Sequence, residues 1–398
     1  MVSEGCEEGR NGGLTAFTSA RPLLLLTDFS PEAQGGGAVI LKSLLSPRDC
    51  ERIVWATLSP VRERSEYRVV SLASARGRSL ARDATIRTRA LSRAIQTMMR
   101  SHGAQAAWIV AHGAPVRIAP SLISRGIPVH ITVHDDPVWG YAILTRRYLG
   151  LAPLLAKDLR RSLLGARSAD VVSSAMAERY REQHFAELSI VHRGLLGPVE
   201  PAPRYGDQRV LSVAVLGSTY GLGELRILAE ALKMVQERLE IETRLSVIGG
   251  VNEGSVRRAC SSSVALEVTG HLDERQGIRK LQSSFLLYMS YPFGRRGRVL
   301  RTTSFPTKLS TYVMAARPLL LHMPSESSVA FLGATSPYAT LWRSSDAEEG
   351  AEIIEQLWHN ERMAQSFHGE ADDVRQQHYD LHRNRASLFR PLNALAER

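Results

Sequence analysis

From Arg21 almost to the C-terminus, short apolar runs alternate with stretches whose apolar residues recur at helical spacing. In the first half, Pro22–Thr27, Arg52–Thr57, Ala107–His112, Pro128–Val133 and Val171–Ser173 predict strands. Between them, Asp83–His102 and Tyr141–Ala166 are amphipathic and predict helices. Strand-length runs separated by helices imply βαβ units and a parallel sheet. The pattern stops at Arg193–Gln208, where Pro198, Pro201 and Pro203 with Gly194, Gly197 and Gly206 allow neither a long strand nor a helix. It resumes with a strand at Val210–Leu216 and a helix carrying Leu225, Leu228, Leu232, Val235 and Leu239 on one face. Further strands are predicted at Arg244–Ile248, Leu266–Thr269, Phe285–Tyr291 and Pro318–His322.

The expectation is an α/β chain of two doubly wound, Rossmann-like domains facing a central cleft. Residues 1–20 read as a flexible leader, 21–193 as the first domain and 194–209 as an exposed linker. Residues 210–369 read as the second domain, and 370–398 as a polar amphipathic helix crossing back to the first. Ligands of such sheets bind beyond the carboxyl ends of the strands, so the cleft is the expected site.

Composition narrows the partners. The 398 residues fit two or three domains at about 150 residues each. With 44% hydrophobic and 23% charged residues, wholesale disorder is excluded. Fifty Lys+Arg against 40 Asp+Glu leave a net charge of +10, which suits nucleotide phosphates, an anionic membrane surface or nucleic acid. Nucleic acid is the least expected of these, since the aromatic fraction is 6% and no reader motif is present. Cys6, Cys50 and Cys260 are too scattered for a disulfide framework or a cysteine zinc site, which points to a reducing cytoplasm. No run approaches the roughly 18 apolar residues of a membrane span, and Glu4, Glu7 and Glu8 stand where a secretory signal carries positive charge.

Two basic stretches nevertheless suggest peripheral attachment to the inner membrane face. One contains Arg76, Arg78, Arg82, Arg87, Arg89, Arg93 and Arg100; the other interleaves Arg146, Arg147, Lys157, Arg160, Arg161 and Arg167 with Leu149, Leu151, Leu154, Leu155 and Leu159. The competing reading is a basic solvated face with its leucines in the core.

Several chemistries lack their motifs. There is no Walker A pattern, and Gly221-Leu222-Gly223 lacks the third glycine of a dinucleotide fingerprint. Gly217-Ser218-Thr219-Tyr220-Gly221 spaces its serine wrongly for a nucleophile elbow. His130, His134, Asp135 and Asp136 have no paired second motif, so no metal is expected.

Four segments, in order, resemble GT-B glycosyltransferases. Leu25-Leu26-Thr27-Asp28-Phe29-Ser30-Pro31 followed by Gly35-Gly36-Gly37 is similar to their opening strand and glycine-rich loop. Val133-His134-Asp135-Asp136-Pro137 resembles a strand-end loop lining their cleft, and Ala169-Asp170-Val171-Val172-Ser173-Ser174-Ala175-Met176 a strand-to-helix passage closing their N-terminal domain. Ser304-Phe305-Pro306-Thr307-Lys308-Leu309-Ser310-Thr311-Tyr312, ending in Ala316-Arg317-Pro318, looks like the donor-binding helix start of the family-4-like retaining enzymes and their relatives. The resemblance covers nearly the whole chain beyond residue 20.

It implies transfer of a sugar from a nucleotide-diphosphate donor to an acceptor (a glycan, a lipid-linked molecule or a small molecule) with retention of configuration and no metal or other cofactor. The first domain would hold the acceptor and the second the donor. Breaking the sugar–phosphate bond builds positive charge at the anomeric carbon and negative charge on the leaving phosphate, so donors aimed at the phosphate are the main requirement. Pro306 suits a first helical turn with Ser304 as its cap, which leaves the N–H groups of Thr307 and Lys308 for an anion, with the Lys308 ammonium beside them. The resemblance also places Phe305, Tyr312, Gly217, Ser218 and His271 on the donor, and Gly35, Gly36 and Gly37 where the backbone approaches substrate closely. His134 is the expected catalytic residue, polarising by hydrogen bonds, with Asp135 orienting it or, in an inverting variant, accepting the acceptor's proton. Plainer readings stand beside these: an ordinary turn for the glycines, a turn cap for His134-Asp135-Asp136, a solvated lysine for Lys308.

One departure is clear. The two glutamates that family-4-like enzymes place around this helix start are replaced by Thr303 and Thr311. That keeps two alternatives open on the same fold: a catalytically silent sugar-nucleotide binder or scaffold, and a nucleotide-sugar epimerase that needs no acceptor.

Overall fold

A computed structural model describes residues 16–61, 67–72, 88–138, 152–183, 188–207, 209–217, 221–260 and 264–397. The chain divides into two compact units. The first comprises Met1–Leu195 with Thr303–Phe305 and Asp380–Arg398; the second comprises Leu196–Thr302 and Pro306–Tyr379.

The first unit is built on a seven-stranded sheet in the order β3-β2-β1-β4-β5-β6-β7. Its strands are β1 (Leu23–Thr27), β2 (Ile53–Thr57), β3 (Val69–Ser71), β4 (Ala106–Val110), β5 (Val129–Val133), β6 (Ser168–Val171) and β7 (Leu188–Ile190). Every pairing is parallel. All residues of β1, β2, β4 and β5 are buried, which is why they read as unbroken apolar runs rather than alternating ones. Leu25 lies opposite both Trp55 and Trp108 at the centre of the sheet.

The second unit repeats the plan with six parallel strands in the order β10-β9-β8-β11-β12-β13. These are β8 (Val210–Leu216), β9 (Glu242–Ile248), β10 (Ala265–Thr269), β11 (Leu286–Ser290), β12 (Leu319–His322) and β13 (Ala339–Trp342). The helix Leu222–Leu239 buries Leu225, Leu228, Leu232 and Val235, as its spacing predicts. In both sheets the order reverses, between β1 and β4 and between β8 and β11. Ligands of doubly wound sheets gather at the carboxyl ends of the strands flanking such a reversal.

Three expectations can be set against the structure. First, the Pro/Gly-rich segment after Leu195 is irregular and largely exposed, at Leu196–Pro198, Glu200, Pro201, Pro203, Arg204, Gly206 and Asp207. Val199, Ala202 and Tyr205 are buried, and the N–H groups of these three donate to Asp372, Ser366 and the Ala364 carbonyl. The buried Arg317 guanidinium also bonds the carbonyls of Pro203, Gln282 and Ala364, so the segment is strapped along the second unit. Second, residues 16–20 are anchored: Phe17 is buried, its N–H donates to Asp49 at 2.9 Å, and its ring meets Phe389 of the helix Leu381–Ala396. Residues 1–15 lie outside the described residues.

Third, in the helix Ala152–Gly165 of the second basic stretch Leu155 and Leu159 are buried, Leu154 is half-buried, and Lys157, Arg160 and Arg161 are exposed. Likewise the helix Thr88–Ser101 buries Leu91, Ile95, Met98 and Met99 and exposes Arg89, Arg93 and Arg100. Arg76, Arg78, Arg82, Arg87, Arg146, Arg147, Leu149 and Leu151 lie outside the described residues. Among the described residues no helix is long and apolar enough to cross a membrane.

Candidate functional site

The carboxyl edge of the first sheet gathers four polar side chains. Asp28 follows β1, His112 follows β4, and His134 and Asp135 follow β5. Strands β1 and β4 flank the reversal, so Asp28 and His112 face each other across it: Nδ1 of His112 lies 2.9 Å from the Asp28 carboxylate. That carboxylate raises the imidazole from 6.5 to about 9, so His112 is a cation at neutral pH with 42% of its side chain exposed. Nothing local in the sequence signals this pair.

His134 is the opposite case. It is 9% exposed, its Nδ1 has no hydrogen-bond partner among the described residues, and burial lowers it from 6.5 to about 4, so it is neutral. The missing side chain of Gly37 explains how it fits. A Cβ there would lie 3.1 Å from Nδ1 of His134 and 3.0 Å from the Phe29 ring. Gly35 caps and Gly36 and Gly37 open the helix Gly36–Leu44, so a neutral imidazole with an unused nitrogen sits against the first turn of a helix.

Asp135 is raised above the ordinary carboxylate range by burial, against the pull of the His112 cation and a hydrogen bond donated by Ser304. Here two predicted motifs meet. Ser304 touches Asp135, the Thr303 carbonyl accepts from the Ser173 hydroxyl at 2.5 Å, and the Phe305 ring stacks on His192 at 4.2 Å. The segment Thr303–Phe305 is thereby built into the first unit.

Directly after it the chain begins the helix Thr307–Ala315. Pro306 is the cap residue rather than a first-turn residue, and its ring has no acceptor to cap the helix; Ser304, two residues earlier, is engaged by Asp135. Thr307 and Lys308 occupy the first turn, where N–H groups have no partner within the helix. Lys308 is half-buried rather than solvated, and burial lowers its ammonium from 10.5 to about 8.

The other predicted residues are placed as follows. Gly217 closes β8 at φ +73°, and a Cβ on Gly249 would lie 3.1 Å from its Cα, so two glycines let the ends of β8 and β9 touch. Ser218 lies outside the described residues. His271 is exposed in the loop after β10. Tyr312 is fully buried; its hydroxyl accepts from the Leu216 N–H at 2.7 Å and donates to the Tyr288 carbonyl at 2.8 Å. It holds the end of β8 to β11 instead of presenting a group to a ligand. His130 turns away from the edge toward Asp170 at 2.6 Å, and Asp136 accepts from Tyr180, so neither converges with His134.

No family profile and no curated protein sequence matches the chain. Solved structures do. A sucrose-phosphate synthase from Thermosynechococcus elongatus superposes with a TM-score of 0.68 at 13% identity, over 94% of this chain and 99% of that one. Anabaena HepE in complex with UDP and glucose gives 0.64 at 11% identity, over 94% and 100%. An α,α-trehalose-6-phosphate synthase from Burkholderia multivorans gives 0.62 at 14% identity, over 94% and 99%. The chain has the GT-B fold.

Proposed function

We propose that this protein is a glycosyltransferase that moves a sugar from a nucleotide-diphosphate donor to an acceptor hydroxyl. The observation that carries the reading is the engagement of Ser304 by Asp135, four residues before Lys308 in the chain. Within the first unit it sets Ser304 beside the loop bearing His134, and the helix Thr307–Ala315 begins three residues further along the chain.

In this reading the first-turn N–H groups of Thr307 and Lys308 and the Lys308 ammonium hold the diphosphate. With a folded value of about 8, Lys308 is still largely protonated at neutral pH and supplies positive charge as the phosphate leaves. The Lys308 ammonium and these N–H dipoles take the phosphate charge that a divalent ion would otherwise carry. His134, neutral at physiological pH, offers a hydrogen bond to the sugar without adding charge near the developing oxocarbenium centre. Asp135, raised by burial, orients the His134 imidazole; in an inverting variant its ionised form would instead take the acceptor's proton.

UDP is the first nucleotide to try, because HepE was solved with it. The test is to incubate the protein with a panel of nucleotide sugars and measure release of free nucleotide diphosphate, with and without added sugar acceptors. Release that rises with an acceptor supports transfer. Interconversion of donor sugars without release would instead identify an epimerase. Binding of a nucleotide with neither outcome would leave a silent binder, the role that Thr303 and Thr311 favour.

A further inference from the structure

The reversal in the second sheet is flanked by β8 and β11, yet the β8 side carries no cation. Residues 217–223 read Gly-Ser-Thr-Tyr-Gly-Leu-Gly, and the next basic residue, Arg226, lies 3.7 Å from Glu230 along its helix. The loop after β11 is the reverse. It holds Arg295, Arg296, Arg298 and Arg301 within seven residues, and the first three are exposed.

This loop is firmly built. The Arg301 guanidinium is buried and donates to the carbonyls of Pro292 at 3.2 Å and Gly294 at 2.9 Å, and to Glu326 at 2.8 and 3.0 Å. Gly297 closes the turn onto Pro292 so tightly that a Cβ would sit 2.3 Å from the proline Cγ. The Phe293 N–H donates to Glu224 at 3.3 Å, tying the loop to the first turn of the helix Leu222–Leu239. Glu326 is bonded by Arg301 and also feels the Arg298 charge, while Glu224 accepts from the Phe293 N–H.

We infer that the turn Gly294–Arg298 is a polyphosphate-binding element, presenting Arg295 and Arg298 to the diphosphate of the donor. The inference rests on the proposed donor reading and deepens it by locating the second source of positive charge. A rigid turn suits the task, because guanidinium forks bind phosphate oxygens in pairs and lose less freedom when the backbone beneath them is fixed. The carboxyl end of β11 is where a doubly wound sheet receives such a ligand.

The test is calorimetry on the full chain with two probes, UDP and inorganic pyrophosphate. The proteins are the wild type, an Arg295→Ala/Arg298→Ala double variant, an Arg295→Lys/Arg298→Lys double variant and Lys308→Ala. Loss of two charge-assisted contacts is expected to weaken both probes about 10- to 100-fold. The lysine pair, which keeps charge but not the fork, should fall between wild type and the alanine pair. Thermal melts should not move, since both side chains are exposed. Wild-type affinity in the alanine pair overturns the inference, and if Lys308→Ala still loses UDP, the donor reading survives it. Arginine-dependent pyrophosphate binding without any UDP binding would do the opposite, sinking the donor reading and leaving the turn's role intact. A wild type that binds neither probe ends both.

Discussion

Replacing Asp28 with asparagine removes the charge that keeps His112 protonated. With Asp28 present the imidazole stands at about 9; without it, burial is opposed only by the weaker pull of Asp135, and the value should fall back toward 6.5. At about 1.36 kcal/mol per pH unit, the rise from 6.5 to about 9 sets a ceiling near 3 kcal/mol for the pair. The His112 side chain is 42% exposed, so solvent screening reduces the expected contribution to about 1 kcal/mol. The group is raised on folding, so its stabilisation is complete below pH 6.5 and is lost as pH climbs through 9. His134, lowered to about 4, has the opposite sign and a separate window, weakening the fold as pH falls from 6.5 toward 4. Histidine NMR titration gives the two values directly, and denaturant unfolding at pH 6.5 and pH 9.5 gives the free-energy difference. The wild type should lose about 1 kcal/mol more than Asp28→Asn across that interval. A His112 resonance that still titrates near 9 in Asp28→Asn would refute the reasoning.

Gly37→Ala trades helix propensity, worth about 1 kcal/mol, against crowding of Phe29 and His134 at 3.0–3.1 Å. Its melt should stay near the wild type's while donor turnover falls about tenfold from the displaced imidazole; equal turnover would place His134 outside the chemistry. Tyr312→Phe leaves the part-buried Leu216 N–H without its partner and should cost about 1 kcal/mol in denaturant unfolding, whereas a neutral result would deny the hydroxyl its bridging role. Because Lys308 stands at about 8, a diphosphate beside it should raise it and draw in a proton at pH 8.5. Calorimetry in buffers of different ionisation enthalpy reads that uptake, and binding without any proton uptake counts against the contact.

Most strands are legible because buried parallel strands are continuous apolar runs. Those that the pattern misses, β3 (Val69–Ser71), β7 (Leu188–Ile190) and β13 (Ala339–Trp342), are the outer strands of their sheets. They are short and half-exposed, with too little apolar content to stand out. At Pro22, Pro128 and Pro318 the predicted strands begin one residue early, since proline has no N–H to enter the ladder. The candidate site divides in the same way. Gly37, His134 and Ser304 are visible because their neighbours in sequence form motifs. The Asp28–His112 pair is separated by 84 residues and comes together only through the strand order that sets β1 beside β4. The burial of Lys308 and the fixing of the arginine turn by Arg301 likewise depend on packing that no local pattern records.

The claim everything else depends on is that the Thr307–Lys308 helix start grips the donor's diphosphate. Calorimetric titration of UDP into wild type and Lys308→Ala, with a thermal melt of each, tests it most directly. Losing a preorganised charge-assisted contact of this kind costs roughly a hundredfold to a thousandfold in rate, with a smaller loss in ground-state affinity. UDP affinity is expected to be at least about tenfold weaker in the variant, with the melt held near the wild type's. Wild-type affinity together with an unchanged melt would contradict it.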